Sequence, residues 1–374
     1  MKTIQVRAES GSYPVICGRG SLGRLRKLIA PGRGKEEVFV LSSPRVWRRW
    51  GRAVARGLGG VTRERVILFD DRETAKRLAT VEGICRKLAR ARADRQALVV
   101  AVGGGVVGDV AGFAAASYLR GVRIVHVATT VVAQMDSAIG GKTGVDLPEG
   151  KNLVGAFYQP QMVIADPEVL RTLPPRQFRS GIYEIIKCGV IVDAELFRYL
   201  EREIDAVLRR DARALNWAMK RSARVKISVV NRDERESGVR QILNFGHTMG
   251  HALETATGYK RFLHGEAVAW GMLGAALIGV GLGRLGERDA SQIAALVARC
   301  GRLPELPRIS SSTLVQIIAG DKKSRGGRVG WAIPRRIGAT DIGIEAPDRL
   351  VATAWRELPR LFAQARGEIR RDSR

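Results

Sequence analysis

The chain has 374 residues, 45% of them hydrophobic, with 63 Lys and Arg against 37 Asp and Glu, a formal net charge of +26. That length exceeds one ordinary core and predicts two domains, while no apolar run spans a bilayer and no signal-peptide core opens the chain, so a cytoplasmic protein without membrane partners is expected. The basic excess is scattered (Arg45, Arg48, Arg209, Arg213, Arg221) with no zinc-finger, RNA-sheet or basic-zipper signature, which argues against a specific nucleic-acid partner.

The opening residues 1–6 alternate as a strand does. Short β-rich runs at 38–41, 66–69, 97–102, 122–127 and 162–166 are separated by helical patterns at 44–58, 74–92 and 106–118. This alternation predicts an α/β N-terminal nucleotide-binding domain, Rossmann-like, with a mostly parallel sheet. From about residue 174 the texture is mainly helical, at 175–191, 194–208, 211–232, 245–257, 264–284 and 289–300. A hairpin is expected around Gly326-Gly327, a closing helix at about 347–364, and a frayed tail after Ala365. The division is therefore a domain of residues 1–173 and a mainly α-helical metal- and substrate-binding domain of residues 174–374. The cysteines, Cys17, Cys85, Cys188 and Cys300, show no paired spacing and read as reduced thiols.

Gly103-Gly104-Gly105-Val106-Val107-Gly108-Asp109 follows the apolar strand 97–102 and opens a helix. Glycines 103, 105 and 108 satisfy the dinucleotide spacing in the strand–turn–helix context it requires, where backbone N–H groups and the helix field favour a pyrophosphate. A structural glycine turn has the same pattern. No carboxylate stands about twenty residues later; Asp70, Asp71 and Glu73, after the preceding strand, could hold the ribose instead.

Three of the four histidines fall within eighteen residues, His247, His251 and His264. Glu184 and Lys187 share one helix face, and His247 and His251 share another with Asn244 a turn earlier. Glu184, His247 and His264 would give a His₂Glu set, the donor composition of a catalytic metal site. Lys142, Lys151-Asn152, Lys226, Arg240 and Lys322-Lys323 surround these motifs in the sequence and suit a phosphorylated acid.

Together these strings resemble the 3-dehydroquinate synthase family over residues 70 to about 334: Gly103–Asp109 with Ala111-Gly112-Phe113, Gln134-Met135-Asp136-Ser137 through Gly140-Gly141-Lys142-Thr143, Lys151-Asn152-Leu153, Asn244-Phe245-Gly246-His247-Thr248-Met249-Gly250-His251 and Leu263-His264-Gly265-Glu266. The resemblance implies an NAD-dependent lyase that converts 3-deoxy-D-arabino-heptulosonate 7-phosphate into 3-dehydroquinate and phosphate. It implies a divalent metal, zinc or cobalt, on Glu184, His247 and His264. NAD would contact Asp71, Glu73, Lys76, the turn at Gly103, Gly104, Gly105 and Gly108, Asp109, Thr129, Thr130, Lys142, Lys151 and Thr172. Substrate phosphate would meet Lys142, Asn152, His251 and Lys322 or Lys323, with Arg120 donated from the second subunit of a homodimer. Lys226, Arg240 and Asn244 would orient the carboxylate and hydroxyls, and Asp136 and Lys187 would bond the hydroxyl that is oxidised. Arg72 stands where the family usually has glycine, and Tyr183 where it has a small residue. Related sugar-phosphate cyclases, above all an aminodehydroquinate synthase, and metal-dependent polyol dehydrogenases are the alternatives.

Overall fold

The computed structural model describes residues 2–29, 37–321 and 329–372. The chain forms two compact units, Met1–Pro174 with Lys226–Arg235, and Pro175–Val225 with Glu236–Arg374. The segment Lys226–Arg235, expected with the helical half, thus groups with the first unit, and Lys226 with it.

In the first unit, seven strands form one sheet: β1 (Lys2–Ala8), β2 (Gly11–Cys17), β3 (Val38–Ser42), β4 (Val66–Leu68), β5 (Leu98–Gly103), β6 (Arg123–Ala128) and β9 (Met162–Ala165), in the order β1-β2-β9-β6-β5-β3-β4. Only β1 with β2 is antiparallel, in the register Lys2↔Cys17 to Ala8↔Gly11. Every residue of β5 is buried, as expected for a central parallel strand covered on both faces. The helices of this unit are α1 (Leu25–Ile29), α2 (Pro44–Gly57), α3 (Leu78–Arg90) and α4 (Gly105–Ser117). The run expected to be helical from residue 74 starts instead as a 3₁₀ turn, Glu73–Ala75, and α3 begins only after Lys76 and Arg77 leave helical geometry. From β3 the chain steps outward to β4, then returns across β3 to β5. The order reverses between β3 and β5, the place where open α/β sheets bind ligands at their strand C-termini.

Two features of this unit lay outside the sequence reading. β2 was not anticipated. The segment carrying Lys142, Lys151 and Asn152, assigned no strand from the sequence, is a hairpin of β7 (Lys142–Leu147) and β8 (Gly150–Phe157). Its glycines and charged residues hide a strand pattern, because Gly144 and Gly155 face each other where a Cβ on either would strike the opposite backbone.

His126, on β6, is 5% exposed, and burial holds its pKa down to about 4 from 6.5. The ring therefore stays neutral in the folded protein, and the unfolded chain binds the extra proton first. Its contribution to stability is complete above pH 6.5 and is lost as pH falls toward 4, a span worth about 3 kcal/mol. His126→Gln should flatten the dependence of urea-unfolding free energy on pH across that window; an unaltered slope would contradict the assignment.

The second unit is built of α5 (Pro175–Ile191), α6 (Ala194–Leu208), the first part of α7 (Ala212–Val230), α8 (His247–Ala256), α9 (His264–Gly281), α10 (Glu287–Arg299), α11 (Ser311–Asp321) and α12 (Asp348–Asp372). α9 is apolar on nearly every side and buried along most of its length, so it serves as the central helix. The hairpin expected at Gly326-Gly327 lies outside the described residues. The hairpin described is β10 (Trp331–Arg336) with β11 (Ala339–Ile344), turning at Ile337-Gly338, where Gly338 takes φ +88°. The terminal segment expected to fray continues α12 as helix to Asp372, and α12 packs on α9, α10 and α11 through residues up to Ala365. No helix among the described residues is long and apolar enough to cross a membrane.

Candidate functional site

Within the second unit, Glu184 sits in the middle of α5, while His247 and His264 are the first residues of α8 and α9. Their ligand atoms lie within 4.8 Å of one another, one carboxylate with two imidazoles. The helices meet this closely because glycines stand at the crossings. A Cβ on Gly265 would lie 1.9 Å from the Ser180 carbonyl oxygen of α5, and one on Gly271 would lie 1.8 Å from that of Gly246. Gly265 N–H also donates to Ser180 Oγ at 3.1 Å, which anchors the residue beside His264.

Glu184 is fully buried, yet neither of its oxygens accepts a hydrogen bond. The Lys187 ammonium, 2.5 Å from Oε2, forms an ion pair with it but lacks hydrogen-bond alignment. A buried carboxylate in that condition is costly, and a cation relieves it. His264 Nδ1 is 3.2 Å from Glu254 Oε2, and its Nε2 is 3.6 Å from Glu184 Oε1. His247 Nδ1 lies 3.3 Å from the Phe245 carbonyl, which fixes that ring and leaves Nε2 as its ligand atom. Burial first, then the charges of Lys187, His264 and His251, holds the His247 pKa well below the ordinary imidazole value. It is therefore neutral, as a metal ligand must be. The donor set fits a divalent cation.

His251, Glu254 and His264 form a second trio within the same distance limit. There Glu254 already faces His264 Nδ1, so we assign it the role of orienting the ring. Glu254→Gln should weaken zinc affinity toward the lower end of the ~10–100-fold seen for such orienting groups, measured by chelator competition. Unchanged affinity would remove Glu254 from the centre. The His251 ring is 5.4 Å from that of His247 and 6.0 Å from that of His264. Asn244 donates to Glu236 Oε1 at 2.7 Å, and Arg240 is 1% exposed.

In the first unit, Gly103 ends β5, Gly104 caps α4 and Gly105 begins it, and no side chain caps the helix. The first-turn N–H groups are thus left for an anion. A Cβ on Gly104 would press on Thr130 at 2.9 Å, and Thr129 N–H donates to the Gly103 carbonyl at 2.9 Å. Lys76, 3% exposed, pairs with Asp109 at 2.6 Å and donates to Asn152 Oδ1. Burial, the largest influence on Asp109, raises its pKa, and Lys76 opposes that shift. Asn152 N–H donates to Asp146 at 2.8 Å, Glu73 pairs with Lys151 at 3.0 Å, and Asp71 accepts from Ser43 and Arg45. The uncapped glycine turn, beside this tied group of charges and at the reversal of strand order, fits a dinucleotide.

Asp136 lies in a π-helical turn, Ala133–Ser137, and is ion-paired with Lys226. Thr172 accepts from Trp50 Nε1 at 3.0 Å. Arg120 and Lys142 are exposed, and Lys322 and Lys323 lie outside the described residues. Arg72 turns to Asp70, leaving Glu73 to Lys151. Tyr183 is buried near Cys300, Glu266 and Arg179, none of them a ligand of the cluster. Sequence reasoning missed Glu254, Asp146 and Glu236. Glu254 could have been found, since it stands three and seven residues after His251 and His247 on their helix.

The family model described as 3-dehydroquinate synthase N-terminal matches residues 66–180, and its C-terminal counterpart matches 181–324. A 3-dehydroquinate synthase of Koribacter versatilis is 44% identical over 96% of this chain and 98% of its own. Another, from Gloeobacter violaceus, is 44% identical over 94% and 98%. Among solved structures, 2-epi-5-epi-valiolone synthase of Streptomyces hygroscopicus, with NAD+ and Zn2+ bound, is 27% identical with a TM-score of 0.86 over 95% of this chain and 98% of that one. A 2-deoxy-scyllo-inosose synthase complexed with carbaglucose-6-phosphate, NAD+ and Co2+ is 26% identical, TM-score 0.82, covering 95% and 99%.

Proposed function

The chain belongs to the 3-dehydroquinate synthase family, and from that premise we propose that it converts 3-deoxy-D-arabino-heptulosonate 7-phosphate into 3-dehydroquinate and phosphate, using NAD and a divalent metal ion. The observation that carries the reading is the buried Glu184 carboxylate without hydrogen-bond donors, set beside two imidazoles oriented by Glu254 and Phe245. NAD supplies a reversible hydride acceptor, and a zinc or cobalt ion supplies the Lewis acidity that makes a ring hydroxyl easier to deprotonate.

The chain's own groups then have assignable tasks. Glu184, His247 and His264 hold the ion. Lys187, ion-paired with Glu184, bonds the hydroxyl under oxidation, and Asp136, paired with Lys226, orients the same region. The turn from Gly103 to Gly108 and the Thr129–Thr130 segment receive the pyrophosphate, while Asp71, Glu73, Lys76, Asp109, Lys142, Lys151 and Thr172 secure the rest of NAD. Lys142, Asn152, His251 and Lys322 or Lys323 take the substrate phosphate. Arg240 and Asn244 take the carboxylate and hydroxyls; these acid-directed groups favour dehydroquinate over neutral cyclitol products. Leaving phosphate, held by these cations, accepts a proton without a dedicated base.

Arg120 belongs to the same proposal, as a residue donated across a homodimer. It is exposed, with Leu119, Arg120 and Gly121 all at positive φ (50°, 65° and 126°), a strained turn that presents the guanidinium outward. Four free cysteines suit the cytoplasm. The test is to supply the heptulosonate phosphate, NAD and zinc, then measure phosphate, dehydroquinate and NADH. Product with no net NADH is expected. Stoichiometric NADH without phosphate would replace this reading with a polyol dehydrogenase. Mixing Arg120→Ala with Lys187→Ala subunits should restore part of the activity if Arg120 crosses between subunits.

A further inference from the structure

We propose that the second unit carries an additional anion-binding site, separate from the metal cluster, that takes a small multivalent oxyanion. It is a surface cavity of about 380 Å³ whose lining includes Arg176, Arg179, Arg261 and Arg302 with Glu266 and Glu305. Four guanidinium groups thus face two carboxylates. Both carboxylates are engaged: Glu266 accepts twice from Arg176, at 2.7 Å each, and Glu305 lies 3.3 Å from Arg302. No carboxylate pairs with Arg179 or with the Arg261 guanidinium among the described residues. Positive charge therefore remains in excess around a shallow, open depression, which attracts an anion.

The walls are held in place before any ligand arrives. Glu266 also accepts from Leu263 N–H at 2.9 Å at the start of α9, and Arg176 donates to the Arg261 carbonyl at 2.8 Å, so Arg176 is fixed from both sides. The opposite wall is pinned by Trp270, whose indole N–H donates to the Pro304 carbonyl at 2.9 Å. Planar guanidinium forks on such a frame suit the tetrahedral or planar oxygens of a phosphate, sulfate or polycarboxylate. None of the four arginines contributes to the groups assigned to catalysis above.

The experiment is calorimetric titration of the full, zinc-loaded chain with inorganic sulfate at constant ionic strength, with Arg179→Ser/Arg302→Ser as the comparison. Two classes of site are expected in the parent protein, since the substrate's own phosphate cage also takes sulfate. The variant should lose one class, weakened by about tenfold per arginine, with kcat and KM unchanged. Persistence of both classes in the variant would overturn the proposal. So would heat that grows without saturating, or a DNA duplex competing in simple proportion to its phosphates, either of which would reduce the cavity to general surface charge.

Discussion

Glu184→Gln is expected to lower turnover by at least about a thousandfold, because Lewis-acid stabilisation worth several kcal/mol is lost, at ~1.4 kcal/mol per tenfold. The substitution keeps the shape of the side chain and removes its charge. In a site where both oxygens are buried and no donor is aligned on either, that charge is what a cation seeks. Zinc affinity should fall with turnover, and metal content after dialysis reports it independently of activity. Two further measurements separate this from misfolding. Far-ultraviolet circular dichroism should be unchanged, and Glu184→Asp, with the charge retained but drawn back by one carbon, should recover part of the zinc binding. Full zinc occupancy in Glu184→Gln would remove Glu184 from the ligand set.

Gly265→Ala should be nearly as damaging, by a different route. The added methyl would lie 1.9 Å from the Ser180 carbonyl oxygen and 2.8 Å from Ser180 Oγ, so α9 must move away from α5. Backbone cannot yield as a side-chain tip does, which places the cost at the upper end of the ~1–3 kcal/mol typical of overpacking. His264 is the neighbouring residue, and a displacement of about 1 Å in a catalytic group can cost about a hundredfold in rate. Thermal melting and zinc titration together should show both losses. Gly83→Ala supplies the contrast: it lies within α3 with open space around it, and the change should stabilise by ~0.5–1 kcal/mol. Equal stability of the two variants would mean that the α5–α9 contact is not tight.

Much of the candidate site was legible because its parts are local. The glycine turn follows a fully apolar strand and opens a helix, all within about a dozen residues. His247 and His251 are one turn apart, as Glu184 and Lys187 nearly are. What joins these pieces was not legible. Lys76 was singled out only through the family resemblance; its burial against Asp109 and Asn152 depends on a hairpin whose glycine-rich strands carry little alternating pattern. Glu236 and Asp146 carried no assigned role in the sequence, and only packing shows them fixing Asn244 and Asn152.

By itself, then, the order of residues determined the alternation of strands and helices, the change to a helical second half, the nucleotide-type turn and the residue types of the metal set. Hydrophobic periodicity and turn chemistry act over one or two turns of chain, so a short window contains them. Tertiary structure alone decided that Lys226–Arg235 joins the first unit, that β10 pairs forward to β11 about Gly338, and that Glu254 faces His264. It also gathered four arginines around one cavity. The first and last of these turn on contacts between segments tens of residues apart, and the other two on nearer neighbours; in all of them close packing selects partners that local propensity leaves undetermined.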